Sequence, residues 1–336
     1  MLDSAGFALV MATGIVSTAL RFDGVTTVSA CLLGVGLACY ATLLAIHGRR
    51  LLSRRPRSSS GLVAPGVFRS LTFVAGSDVL SARLAMDGHL WSAAVLLGIG
   101  TVAWLLLGYS APISLVASRR RPRLSQMDGS WFLWTVGTQS VASALAALAH
   151  LVPGDAAALA VGASACWAVG VMQYLLTASL VPVRLLLRPV TAANLVPSSW
   201  VFMGSAAITV LAGAEILRLP AADDLLPGAF TSGLSLVLWS FCTWLIPLLL
   251  ALGVWRHLLR RVPLRYDAGL WSMVFPVGMY GAASHELGLA TGFPWLTEWG
   301  GSESRAAAVV WAAVFLAALV AAGRAGGGLR GGLAPS

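Results

Sequence analysis

The stretch Phe7-Ala-Leu-Val-Met-Ala-Thr-Gly-Ile-Val-Ser17 decides how the rest of the chain is read. It is apolar enough to enter hydrocarbon, yet it carries Thr13-Gly14 and Ser17 where a lipid-facing helix would hold leucine. Small and hydroxyl residues in a membrane helix belong at contacts with other helices, where they allow close approach and exchange hydrogen bonds away from lipid. The stretch therefore predicts an inner helix of a larger bundle.

Apolar runs of this kind recur along the chain. A bilayer core takes about 20 apolar residues per helical span, and ten candidates lie at about 4–20, 25–46, 63–84, 90–117, 130–149, 156–183, 198–217, 229–255, 269–289 and 306–323. Of the 336 residues, 58% are hydrophobic and 10% charged, against about 25% charged in a soluble domain. The first run has no basic leader and no small-residue cleavage site, so it is expected to be retained rather than removed as a signal peptide. The reading is an all-α polytopic membrane protein, with one transmembrane domain over 1–324 and a low-complexity cytoplasmic tail over 325–336.

All 22 basic residues are arginine. Seventeen fall on one side: Arg49, Arg50, Arg54, Arg55 and Arg57, then Arg119, Arg120, Arg121 and Arg123, then Arg184 and Arg188, then Arg256, Arg260, Arg261 and Arg265, and finally Arg324 and Arg330. Only Arg21, Arg83, Arg218 and Arg305 fall on the other, and Arg69 lies inside a span. Positive-inside bias predicts both termini in the cytoplasm of a plasma (inner) membrane. The net charge of +9 is thereby accounted for and calls for no nucleic-acid partner. Cys31, Cys39, Cys166 and Cys242 lie within spans without metal-ligand spacing, so neither a metal nor another cofactor is expected. The absence of HExxH, GxSxG and Walker elements argues against an enzyme.

The odd spans begin alike: Asp3-Ser-Ala-Gly-Phe7, Ala64-Pro-Gly-Val-Phe68, Asp128-Gly-Ser-Trp-Phe132, Val196-Pro-Ser-Ser-Trp200 and Asp267-Ala-Gly-Leu-Trp271. Each places an aromatic fifth, preceded by an N-cap Asp or by Pro at the first helical position. The even spans answer with Tyr40, Trp104, Trp167, Trp239 and Trp311. This pattern predicts five parallel helical hairpins, about 3–48, 64–118, 128–187, 196–257 and 267–324, with pseudo-five-fold symmetry about the membrane normal. The leucine-rich even spans suit lipid. The odd spans hold Thr13, Gly14 and Ser17, then Gly76 and Ser77, Gly137 and Thr138, Gly204 and Ser205, and Gly278. Periodicity leaves open whether their shared interior is a packed core or a conduit.

The M-x-T-G-I-V-S element within Phe7–Ser17, Pro197-Ser-Ser-Trp200 and Trp271-Ser-Met-Val-Phe-Pro276, in this order, resemble the tellurite-resistance/dicarboxylate transporter family. That family includes the bacterial tellurite-resistance membrane protein, the yeast malate permease and the plant slow anion channels. The resemblance implies ten helices around a central anion pore, lined by the odd-span residues just named, in a homotrimer. It also implies a ninth-helix phenylalanine that occludes the pore, a role that falls here on Phe275, beside Pro276. Phe275 aligns with Met11, Thr72, Val136 and Gly204, and is the only aromatic of the five.

Each odd span ends near a basic or titratable group, Arg21, Arg83, His150, Arg218 or His285, a set that reads either as helix C-terminal caps or as an outer-mouth ring drawing anions in. Asp78 lies within a span and must face protein, as an interhelical hydrogen-bond partner or a proton-linked group, and Glu286 beside His285 is a second candidate for proton linkage. The expected function is anion permeation by a channel or facilitator. The alternative is a proton-coupled carrier or exporter of a C4-dicarboxylate such as malate, of sulfite or of tellurite-type oxyanions. The partners are small inorganic or organic anions and the bilayer. The arginine bias yields a direct test: in a background lacking the native cysteines, Ser58→Cys is shielded from an impermeant thiol reagent in intact cells, while Asp223→Cys is labelled.

Overall fold

The computed structural model describes residues 4–53, 64–117, 128–187, 191–192, 195–222 and 225–331. Within them the chain forms ten α-helices: α1 (Ser4–Phe22), α2 (Thr26–Ser53), α3 (Ala64–Met86), α4 (Leu90–Ala117), α5 (Leu133–Ala149), α6 (Ala156–Leu187), α7 (Val201–Leu217), α8 (Gly228–Val254), α9 (Trp271–Thr291) and α10 (Pro294–Gly331). The described residues contain no strand. Residues 54–63 and 118–127, which carry much of the arginine bias, and Asp3, the first expected cap, lie outside the described residues.

The expected start signals act one turn before the α-helices proper. Asp128 accepts from the Ser130 backbone N–H at 2.9 Å and Asp267 from that of Gly269 at 2.7 Å, while Val196 is extended ahead of Pro197. Each opens a single 3₁₀ turn, Gly129–Phe132, Ala268–Leu270 or Pro197–Trp200, that feeds α5, α9 or α7. At the other end, Gly24, Gly88 and Gly292 have φ of 78°, 79° and 72°. That left-handed conformation lets α1, α3 and α9 reverse into their partners within a few residues.

Among the described residues, seven helices are long and apolar enough to cross a membrane, counting α5 and α7 with their leading turns: α2, α4, α5, α6, α7, α8 and α10. The expectation was ten. The other three, α1, α3 and α9, are short or broken by polar groups such as Asp78, Arg83 and Glu286, and these are helices that protein, not lipid, surrounds. α10 starts at Pro294, twelve residues before the expected 306, because Glu298, Glu303 and Arg305 lower its hydropathy without opposing helix formation. It also runs through Gly331, into the stretch read as a tail.

Contacts sort the helices into two shells. α1 packs on α3, α3 on α5, α5 on α7, α7 on α9 and α9 back on α1, so the odd helices close a ring. α2, α4, α6, α8 and α10 pack outside it, each chiefly on the helix before it. The outer helices turn large apolar side chains outward, among them Trp91, Leu106, Met172, Val237, Trp244 and Leu316. An apolar exterior of this extent marks a lipid-facing surface. Every outer helix also bonds to the ring helix that follows it. Tyr40 and Ser77 share a hydrogen bond of 2.7 Å. The indole N–H donates from Trp104 to Thr138 Oγ1 at 2.9 Å, from Trp167 to the Thr209 carbonyl at 2.9 Å, from Trp239 to Ser284 Oγ at 2.8 Å, and from Trp311 to Thr13 Oγ1 at 3.0 Å.

Between membrane helices, close packing replaces hydrophobic driving force. The α9–α10 pair depends on it most: a Cβ on Gly300 would lie 2.7 Å from the Gly281 carbonyl oxygen, and one on Gly281 would lie 2.8 Å from the Ser304 nitrogen. Backbone cannot yield as a side-chain tip does. Gly300→Ala is therefore expected to destabilise by about 1–3 kcal/mol, seen as a lower midpoint for heat-induced loss of monodisperse protein in detergent. Gly98→Ala, on α4 with nothing within 4 Å of its new methyl, leaves that midpoint unchanged or raised.

Candidate functional site

The ring encloses a cavity of about 20 Å³, room for about one water molecule. All five ring helices wall it: Ile15 and Thr18 from α1, Asp78, Val79 and Met86 from α3, Ser140 and Ser143 from α5, Ile208, Leu211 and Glu215 from α7, and Met279 from α9. It lies toward the C-terminal ends of these helices. One turn nearer their N-termini, on the same helix faces, stand Met11, Ala75, Val136, Gly204 and Phe275. Met11, Ala75, Val136 and Phe275 are fully buried. This layer coincides at four positions with the alignment made from sequence. Pro276 cannot donate to the Ser272 carbonyl, and its ring lies against Gly204, where a Cβ would come within 2.7 Å of Pro276 Cγ.

Of the ten small and polar residues expected along a lumen, nine lie at contacts between helices. Gly14 meets Val79, Gly76 meets Val10, Gly137 meets Leu71, and Gly278 meets Val16 and Ile15. Thr13, Ser77 and Thr138 receive the outer aromatic groups, and Ser17 exchanges hydrogen bonds with Ser29. Ser205 bonds back to the Phe202 carbonyl, and Gly204 takes the Pro276 ring. The cavity wall is formed by other residues, because small side chains are most needed where ring neighbours touch.

Charged groups gather at the C-terminal ends of the ring helices, in pairs. Arg21 lies 3.2 Å from Asp87 and Arg83 2.7 Å from the same carboxylate. Arg83 is buried and also donates to Ser17 Oγ at 3.1 Å and Ser29 Oγ at 2.9 Å, locking the α1–α2 hairpin to α3. Arg218 bonds the buried Glu286 at 2.5 Å. His285 lies 3.5 Å from the other Glu286 oxygen, its ring stacked on Phe22 at 5.4 Å. Partial burial, aided by the Arg218 charge and opposed by Glu286, holds His150 below the ordinary imidazole range. Of the five mouth residues, all three arginines thus have carboxylate partners.

Asp78 is fully buried, and its Oδ2 accepts from Ser140 at 3.1 Å. Its Oδ1 lies against Gly100 of α4, where a Cβ would not fit. Glu215 is the cavity residue that sequence reading missed. The available signal was a carboxylate within an apolar span, one turn before Arg218. Among the described residues, no group of three or more His, Cys, Asp or Glu could hold a metal ion, and the four cysteines are free.

A ring of buried helices, jacketed by apolar ones and closed on a small cavity of mixed apolar, hydroxyl and carboxyl lining, defines a multi-pass membrane protein. Its family follows from comparison: the chain belongs to the voltage-dependent anion channel family (SLAC1), whose model matches residues 2–320. Membership implies transport of anions across a membrane. The chain is also 47% identical over 147 residues to the uncharacterized membrane proteins MT1776 and Rv1735c of Mycobacterium tuberculosis, strains CDC 1551 / Oshkosh and ATCC 25618 / H37Rv. That alignment covers 44% of this chain and 75% of each relative.

The paired charges divide by burial. Burial raises the Asp87 carboxyl, but its bonds to Arg83 and Arg21 and their charges outweigh this and hold it below the ordinary range. A depressed folded value contributes stability that is present above the unfolded value of about 3.9 and is lost as pH falls through the folded value beneath it. Arg83→Gln, which removes a buried guanidinium from the Ser17 and Ser29 hydroxyls and from a solvent-exposed Asp87, is expected to cost about 1–3 kcal/mol in thermal unfolding at pH 7, with the difference from wild type narrowing below about pH 4. Arg21→Gln, at a half-exposed pair, costs about 0–1 kcal/mol.

Proposed function

We propose that the protein passes anions along the axis of the ring, as a channel or facilitator, with Phe275 as the closure. The observation that carries this reading is the axial order of the wall: a mainly apolar cavity shared by all five ring helices and bearing three hydroxyls and two carboxyls, then a fully buried layer whose one aromatic is Phe275. A flat ring in a narrow apolar constriction excludes water and so blocks ions. Pro276, which leaves the Ser272 carbonyl without its helical donor, seats its ring on Gly204 and so holds α9 close to α7 beside this layer. In this reading ten helices cross the plasma membrane as five parallel hairpins about a pseudo-five-fold axis, with both termini cytoplasmic. The order of ring contacts and the five outer-to-inner hydrogen bonds, all running in one sense, support it. Assembly as a homotrimer belongs to the same proposal and rests on family resemblance.

A second reading is favoured by one observation: two carboxyl side chains, Asp78 and Glu215, stand at the cavity. It is a proton-coupled carrier of a C4-dicarboxylate such as malate, of sulfite or of a tellurite-type oxyanion. Liposomes of the pure protein separate the readings. A channel follows voltage and anion gradient alone, whereas a coupled carrier accumulates anion when only a pH gradient is imposed.

Phe275→Ala tests the closure. If Phe275 blocks the path, the variant folds and conducts about tenfold more or better, the effect of removing a barrier of about 1.4 kcal/mol or more. If it is ordinary packing, truncation leaves a cavity costing about 3–5 kcal/mol with no gain of flux. A well-folded Phe275→Ala protein conducting like wild type would sink the assignment.

A further inference from the structure

Glu215 occupies the position where an anion on the proposed path meets the most unfavourable charge. It lies in the last turn of α7 and lines the central cavity. Ser143 of α5 lines the same cavity. Its Oε2 is buried and has no hydrogen-bond partner among the described residues. The cation nearest in sequence, Arg218, is engaged by Glu286 of α9.

The groups facing Glu215 can be taken element by element. α5 contributes Ser143 and, at its end, His150; α9 contributes Glu286 and His285; α7 itself contributes Arg218. α3 places Asp78 on the same cavity wall. From α6 and α8, which also pack on α7, the ionisable side chains turned toward the ring are Cys166, Tyr174 and Cys242. With both glutamates ionised and both histidines neutral, the neck formed by Glu215, Glu286 and Arg218 carries one net negative charge, which one proton cancels.

We propose that Glu215 is a proton-binding site within the anion path, so that the path admits anions when Glu215 is protonated and rejects them when it is ionised. The proposal rests on the permeation reading above and adds its control. An ionised carboxylate can only accept hydrogen bonds, and it repels an anion at short range in a cavity too small for screening water. A protonated one presents Oε2–H as a donor, and an anion in the cavity can accept it. The controlling proton comes from the face that carries the Asp23–Val25 and Asp87–His89 turns, because the Phe275 layer lies on the other side of Glu215.

The test measures nitrate currents through the full-length protein in planar bilayers, with pH set separately on each face. Acidifying the Asp23/Asp87 face from pH 8 to pH 5 is expected to raise wild-type current about tenfold or more, and acidifying the other face is expected to do little. Glu215→Gln, a neutral side chain of the same shape, is expected to conduct at the raised level at both pH values. A Glu215→Gln protein that keeps the wild-type pH response overturns the proposal, as does a wild-type response equal from both faces. The sidedness measurement needs no variant, so a poorly folding Glu215→Gln leaves the idea testable. A nitrate current indifferent to pH removes this proposal alone. No current in wild type or Phe275→Ala at any pH removes the permeation reading and this proposal with it.

Discussion

The hydrogen bond from each outer helix to the next ring helix is the interaction on which the rest of the architecture depends. In lipid there is no hydrophobic gain from pressing one apolar helix on another, so directional bonds and close packing hold the shells in register. Each such bond is modest, on the order of 1 kcal/mol, but each also satisfies a donor that would otherwise sit unpaired in an apolar layer. Their placement matters more than their sum. Tyr40, Trp104, Trp167 and Trp239 each tie one hairpin to the one after it in sequence. The fifth bond, from Trp311 to Thr13, joins residues 298 apart and closes the circle. Beside it, the Arg305–Asp23 ion pair and α1–α9 and α1–α10 packing also join the first and last hairpins.

A closed ring also accounts for where polar groups can stand. Each inner helix is buried by two ring neighbours and by outer helices, so small residues are used up at the seams. Gly14, Gly76, Gly137, Gly204 and Gly278 all serve there. What remains for the axis is a mixture of medium-sized apolar side chains with a few hydroxyls and carboxyls. Charge is paired at the rim, where Arg21 and Arg83 share Asp87 and leave one positive charge over, Arg218 holds Glu286 and Arg305 holds Asp23.

The division between what could and could not be read from sequence follows from the same geometry. The apolar outer helices, the Asp and Pro start signals and the outer aromatics were legible, because each depends on local chemistry or on contact with lipid. The faces of the ring helices were not. An amphipathic stripe exists only when one side of a helix meets a different medium, and α7 and α9 meet protein all round. The side facing a ring neighbour and the side facing the axis are then chemically alike in one dimension, which is why Thr13 and Gly14 suggested a lumen and stand at seams. The early start of α10 was hidden because hydropathy measures suitability for lipid, whereas Glu298 and Glu303 suit a helix that need not be in it. Glu215 was passed over because a single carboxylate in an apolar run gives no sign of which groups will surround it.

The ring limits how such a path can open. Five helices tied from outside by indole and phenol bonds, and seated against one another on glycine, cannot move apart one at a time without breaking contacts on both sides. Packed interfaces of this kind switch between discrete arrangements rather than stretch. Opening then falls to elements that change without disturbing the seams. On the path proposed here, two such elements stand in series on the axis. Phe275 can alter the lumen by a side-chain rotation, and the helix that bears it is already freed of one backbone hydrogen bond by Pro276. Glu215 can alter it by a proton, with no movement of backbone at all. The first controls whether water fills the constriction, and the second controls what charge an anion meets beside it. On the proposed path one acts through wetting and the other through electrostatics, so they are separate barriers, and lowering either one raises conduction without removing the other.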